Sequence, residues 1–210
     1  MTADTLEGLL NHPALWRAGG GSLRRDVVAS GFDALDARLP GGGWPLGELI
    51  EILPRSHGIG ELNLLLPALR SLLADPARAE GWVAWLVPPY TPYAPALQKS
   101  GLSPARMLVV DPARRDPGPA CWALEQALRS TACVAVLAWL DRLPMSALRR
   151  LKLAASEGGS ACFLFRPRAC ETDPSPASLR VSLQPGEQGI DLCILKNRGG
   201  YTGWLRRFMT

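Results

Sequence analysis

Lysine is scarce in this chain: of 23 basic residues only Lys99, Lys152 and Lys196 are lysines, and the rest are arginines. None lies in the glycine-rich stretch before position 62, where phosphate-binding chemistry would need an ammonium group. Histidine is scarcer still, with His12 and His57 only. No second histidine or cysteine stands at metal-ligand spacing from His57, so the sequence offers no metal site and His57 reads as a solvated loop residue. The five cysteines (Cys121, Cys133, Cys162, Cys170, Cys193) are odd in number and show no CxxC spacing, and three fall in apolar runs. They read as reduced core residues. Long apolar runs are missing too. A stretch such as 132–140 is far too short to span a bilayer, and the acidic N-terminus lacks a basic-then-apolar leader, so a cytoplasmic location is expected.

What is present is a chain of 210 residues, 47% hydrophobic, enough for one well-buried domain. A net charge of +4 gives a mild attraction toward nucleic acid or an acidic protein face. The arginine bias suits bidentate and stacked interface contacts, and GC-rich coding produces the same bias without function.

Short β-rich runs alternate with helix-length segments. Continuous apolar strands are expected at 48–53, 82–87, 106–110, 133–139 and 161–166, and such strands belong to a parallel sheet covered on both faces. Helices are expected at 61–74, at 117–130 with prolines in the first turn, and at 145–157 ending at Gly158-Gly159. Runs 178–184 and 190–196 read as a closing β-hairpin. This is an α/β pattern with a mostly parallel sheet, a C-terminal hairpin and an N-terminal helical arm. Residues 1–21 form the arm and its glycine hinge, with Trp16 as the anchor on its own core or on a neighbour; 22–198 form the domain. Residues 199–210 read as a flexible tail, loosely held or waiting for a partner.

Between the first strand and helix lies Pro54-Arg55-Ser56-His57-Gly58-Ile59-Gly60-Glu61, placed where a phosphate loop belongs but without lysine. Glu61, expected at the helix start, would repel phosphate. Ser56 beside His57 is no nucleophile–base pair, because neighbours in sequence rarely face one another.

The turn at Gly42–Gly47, the strand ending in Glu51-Ile52 and the loop at 54–61 resemble the RecA family over most of 30–200. That resemblance implies a RecA-like core, and this chain departs from it at each chemical position. Pro89, within Val87-Pro88-Pro89-Tyr90, stands where the family has a water-activating glutamate, and Trp139 where a metal-orienting aspartate is expected; Asp141 is the nearest acid. The resemblance therefore implies a degenerate ATPase core lacking the Walker A lysine and the catalytic acids, with no enzymatic activity and no cofactor. The Lys196-Asn197-Arg198 segment matches the family's late hairpin, implying a head-to-tail self-association that survives without nucleotide.

Residues 9–17, 58–67, 88–97, 122–129 and 149–155 resemble the ImuA family, RecA-like accessory proteins of SOS mutagenesis. That resemblance implies a non-catalytic adaptor in translesion DNA synthesis, binding the polymerase-like ImuB and RecA, and nucleoid-associated when DNA is damaged. The alternative is a SulA-like cell division inhibitor that binds FtsZ, and a working ATPase with unusual residues stands third. Candidate contact residues are Trp16, Tyr90 and Tyr93 in a Pro-rich segment, Arg149, Arg150 and Lys152 on the outer face of the third helix, Lys196 and Arg198, and the tail residues Trp204, Arg206 and Arg207. The basic stripe would suit an acidic partner or weak contact with the DNA backbone.

Overall fold

The computed structural model describes residues 26–112, 117–187 and 189–209. The expected arm, Trp16 included, lies outside the described residues.

In chain order the elements are β1 (Val27–Val28), α1 (Asp33–Asp36), β2 (Trp44–Pro45), β3 (Leu49–Pro54), α2 (Leu66–Ala74), β4 (Trp82–Leu86), α3 (Ala94–Lys99) and β5 (Met107–Val110). They continue with α4 (Pro117–Arg129), β6 (Cys133–Trp139), α5 (Met145–Gly158), β7 (Ala161–Phe165), β8 (Leu179–Gly186), β9 (Gly189–Asn197) and β10 (Gly203–Met209). Eight strands make one sheet in the order β10-β9-β8-β3-β7-β6-β4-β5. Strands β3 to β8 pair in parallel, while β8–β9 and β9–β10 are antiparallel.

Every residue of β3, β6 and β7 is buried, the consequence of helices on both faces. Because side chains alternate along a strand, each strand feeds two cores. Ile50, Ile52, Val83, Leu137, Phe163 and Val181 pack with Ala68, Leu69 and Leu72 of α2 on one face. Leu49, Ala84, Val136, Cys162 and Leu164 pack on the other with Leu124 and Leu128 of α4 and Leu148 and Leu151 of α5. Helix α5 ends as expected, with Gly159 left-handed at φ 70° and its N–H bonded to the Ala155 carbonyl.

Three expectations need correction. Strand β5, expected among the strands covered on both faces, is an edge of the sheet with Leu108 and Val109 exposed. Helix α2 begins at Leu66, not 61, with Pro67 in its first turn; residues 61–65 form turns. The C-terminal segment is no loose tail. Residues 203–209 pair with β9 as an edge strand, so the domain runs past position 198. Leu205 and Met209 are buried, and Asp191 of β9 holds the strand through Arg206 Nη1 at 2.7 Å and the Arg207 amide at 2.9 Å. Arg207 takes φ 51° where the ladder slips between Leu205 and Met209, an irregularity that lets both apolar residues turn inward.

Candidate functional site

In open α/β sheets ligands bind outside the carboxyl ends of the parallel strands. Here that edge is formed by the loop after β3, the segment after β4 and the end of β6. The loop leaves β3 with the Arg55 amide donating to the Leu183 carbonyl of β8. Gly58 and Gly60 take φ 84° and 97°, conformations that β-carbons oppose, and they fold the loop back on itself. As a result the Gly58 N–H points at the carboxylate of Glu61, at 2.9 Å to Oε1 and 3.1 Å to Oε2. Glu61 is only 5% exposed, and His57 Nδ1 stands 3.9 Å from its Oε1. The acid expected at the helix start lies five residues before it and is turned into the loop, where a backbone amide of a phosphate loop would meet its anion. Ser56 and His57 lie on the exposed side.

Beside this loop is a cavity of about 320 Å³, lined on one side by Gly58, Gly60 and Glu61 and on the other by Pro88 to Tyr93. Leu62, Asn63 and the indoles of Trp85 and Trp139 complete its walls. Trp139 stacks on Phe165 at 4.6 Å and on Trp85 at 5.6 Å between centroids, so the position expected for a metal-orienting acid carries part of a hydrophobic stack. Asp141 is exposed, and its backbone carbonyl accepts from Arg166 Nε at 3.2 Å. Pro89 lines the cavity, while Tyr90 and Tyr93 are 70% and 71% exposed at its rim. Among the described residues no group of three or more histidine, cysteine or acidic side chains is arranged to hold a metal.

The basic candidates are brought together in part. Lys152 Nζ donates to the Pro176 carbonyl at 3.2 Å and lies 3.7 Å from Glu48, while Lys196 Nζ donates to the Ser175 carbonyl at 2.8 Å. Both lysines thus meet at the loop before β8. Burial, followed by the nearby charges of Lys152 and Arg180, pulls the Lys196 pKa below its usual range. Arg198 adds a further positive charge to this cluster, its amide bonded to the Ser178 carbonyl. Arg150 turns instead toward α4 and pairs with Glu125 at 3.2 Å, so the expected stripe is interrupted there; Arg149 is exposed. Asn197 donates to the carbonyls of Arg38 and Tyr201, a structural tie. On the neighbouring edge strand β10 the Arg206 guanidinium lies 4.1 Å over the Trp204 ring, and Arg207 follows in the bulge.

A buried network escaped sequence reasoning. Glu51, fully buried in β3, receives Arg180 Nε at 2.7 Å, Ser175 Oγ at 2.6 Å and Arg166 Nη1 at 3.2 Å. Arg180 continues to the carbonyls of Cys170, Glu171 and Asp173, fastening the 166–178 segment over the end of the sheet. The signal was one charged residue in each of three otherwise apolar strands or strand ends.

Fold and site define a three-layer α/β protein with a mostly parallel sheet, a loop closed on its own carboxylate and an aromatic cavity at the carboxyl ends of its strands. The chain belongs to the SulA family: the family profile described as cell division inhibitor SulA matches residues 49–162. It is 34% identical over 107 residues to cell division inhibitor SulA of Edwardsiella piscicida, covering 51% of this chain and 61% of that protein. It is 34% identical over 121 residues to SulA of Yersinia enterocolitica, covering 58% of this chain and 68% of the relative. Protein ImuA of Caulobacter vibrioides is 30% identical over 145 residues, 67% of this chain and 57% of that protein. The chain thus spans about three fifths of the length of the Edwardsiella and Caulobacter relatives. The crystal structure of SulA from Pseudomonas aeruginosa is 28% identical, with a TM-score of 0.45 over 56% of this chain and 97% of that one. No helix among the described residues is long and apolar enough to cross a membrane.

Proposed function

We propose that this protein is a nucleotide-free binding protein of the DNA-damage response, an adaptor for translesion synthesis that engages a polymerase-like partner of the ImuB type and RecA. The observation that carries the non-catalytic part is the Glu61 carboxylate held by the Gly58 amide inside the loop. A phosphate entering there would displace a carboxylate from its hydrogen bonds with no lysine to neutralise the added charge. Pro89 and Trp139 supply neither base nor metal ligand beside it. The basic cluster of Lys152, Lys196 and Arg198, and the Trp204–Arg206 pair on β10, are the contact surfaces that suit acidic partners.

The adaptor reading is supported by extent. The match to ImuA takes in 67% of this chain, against 51% and 58% for the two SulA relatives. A second reading, a division inhibitor that binds FtsZ, is supported by that profile and by the names of the Edwardsiella and Yersinia relatives. Co-purification from DNA-damaged cells separates the two. Recovery of the ImuB-type protein and RecA is the expected result, and recovery of FtsZ in their place overturns it. Titration with labelled ATP and Mg²⁺ is expected to show no saturable binding, and saturation would overturn the nucleotide-free reading.

A further inference from the structure

Among the described residues three carboxylates are buried, those of Glu51, Glu61 and Asp191. Two are answered by guanidinium groups, Glu51 by Arg166 and Arg180 and Asp191 by Arg206. Glu61 has no such partner. It is 5% exposed, and its two oxygens share a single backbone N–H, that of Gly58. His57 Nδ1, at 3.9 Å from Oε1, is too far for a hydrogen bond, and no lysine or arginine among the described residues pairs with the carboxylate. An ionised carboxylate accepts at about four positions, so most of the capacity of Glu61 is unused within the fold. Buried charges are normally paired, and this one lines a cavity through which a cation from outside the chain can reach it.

The rest of the cavity has the same bias. No lysine or arginine is among the described residues that line it, and on the wall across from Glu61 stand Pro88, Pro89 and Pro92, each with a carbonyl to offer and no N–H. Tyr90 and Tyr93, 70% and 71% exposed at the rim, add aromatic rings that attract cations. The chain as a whole carries +4, so this preference is local and opposite in sign to the net charge. A guanidinium suits the site better than an ammonium: it is planar, stacks on tyrosine, is weakly hydrated, and brings a fork of donors to a carboxylate. A volume of about 320 Å³, at the small end of ligand clefts, suits one long side chain. The source is a protein surface, since two tyrosines exposed to this degree are covered by a surface that carries the arginine, not by a small cation held within the cavity. The prolines leave the 88–93 segment little backbone freedom to lose on binding.

We propose that this cavity receives an arginine side chain of a partner protein, its guanidinium paired with Glu61 and flanked by Tyr90 and Tyr93. The proposal rests on the protein-binding reading above and names the residue by which the partner enters. The test uses the full chain, with a capped glycine peptide carrying one central arginine as the probe and the same peptide with citrulline, the uncharged isostere, as its control. The Gly58 and Gly60 amide resonances and the Tyr90 and Tyr93 ring resonances are expected to shift saturably with the arginine peptide and to stay fixed with citrulline. Exposed Trp122, on α4, serves as the unmoved internal reference. Tyr90→Ala with Tyr93→Ala, both at exposed positions, should weaken binding about five-fold or more with an unchanged circular dichroism spectrum. Glu61→Gln should weaken it by about as much. Resonances that stay fixed at tens of millimolar arginine peptide overturn the proposal. So do equal shifts from the citrulline peptide, or a tyrosine double variant that binds like the parent. Self-association of the chain that the same double variant abolishes would make a second copy the occupant and overturn the partner source. Failure of the peptide while the partner proteins still co-purify rejects the pocket alone; arginine binding with no partner recovered rejects the partner reading alone.

Discussion

Glu51 is a single carboxylate facing two guanidinium groups in the interior of the sheet. Such a group is costly to bury and costlier to remove, because removal leaves Arg180 desolvated without its counter-charge and Arg166 with only the more distant Asp173, at 3.7 Å. Glu51→Ala should lower the unfolding free energy by about 3–5 kcal/mol in a urea titration. The acid in ELIEIL and the arginines at 166 and 180 are plain in the sequence as exceptions to apolar runs. Their mutual partnership is not, because it depends on β3 lying between β7 and β8, a long-range arrangement that no local pattern encodes. Glu61 was legible as the wrong residue for phosphate, but its inward turn was not, since that depends on two glycines with positive φ. Glu61→Gln keeps the shape and removes the charge from the Gly58 contact; amide exchange at Gly58 should quicken while the core amides are unchanged. Asp191 carries a pH effect. The hydrogen bond from Arg206 first, then the Arg207 amide, holds its pKa below the ordinary 3.8. A depressed carboxylate pKa contributes stability that is complete above the ordinary value and lost as pH falls through the folded-state value. Amide resonances of β10 should therefore lose protection below pH 3.8, and Asp191→Asn should remove that dependence.

At the scale of elements, β10 is where expectation and structure part most clearly. Its glycines and mixed aromatic–cationic composition look like a tail because the pattern that makes a strand is broken by the bulge. Its order is tertiary in origin: the open edge of β9 supplies hydrogen bonds, Asp191 anchors two consecutive residues, and Phe208 lies 4.9 Å from the Phe32 ring. A chain ending at position 198 would expose the β9 edge, and unpaired edges recruit other strands. That truncation should self-associate in size-exclusion chromatography where the full chain keeps its elution volume. The strands β3, β4, β6 and β7, by contrast, were readable from apolar runs alone, since burial on both faces leaves a local signature. Helices α4 and α5 were equally readable, though the partners of their charges were not: Glu125 takes both Arg129 and Arg150, and Arg129 also reaches Glu157.

Across the whole molecule the five cysteines are all buried and free, and burial raises each thiol pKa, that of Cys162 to about 12. Thiolate is the reactive form, so a thiol reagent should label none of the five at neutral pH in the folded protein and all five in denaturant. The general α/β plan was legible because it rests on periodicity, whereas the cavity at the carboxyl ends of β3, β4 and β6 was not, because its walls come from three stretches far apart in sequence, 58–63, 85–93 and Trp139, that meet only through strand order.

The closed loop also bears on how easily its chemistry could change. A lysine placed in the 54–61 segment by one mutation would meet the Glu61 carboxylate and pair with it, and removal of Glu61 alone would leave the Gly58 amide with no cation nearby for an incoming phosphate. Neither step is useful without the other. On the nucleotide-free reading proposed above, a phosphate site at this loop is therefore at least two substitutions away, and selection can act on the protein's surfaces without anion binding arising here.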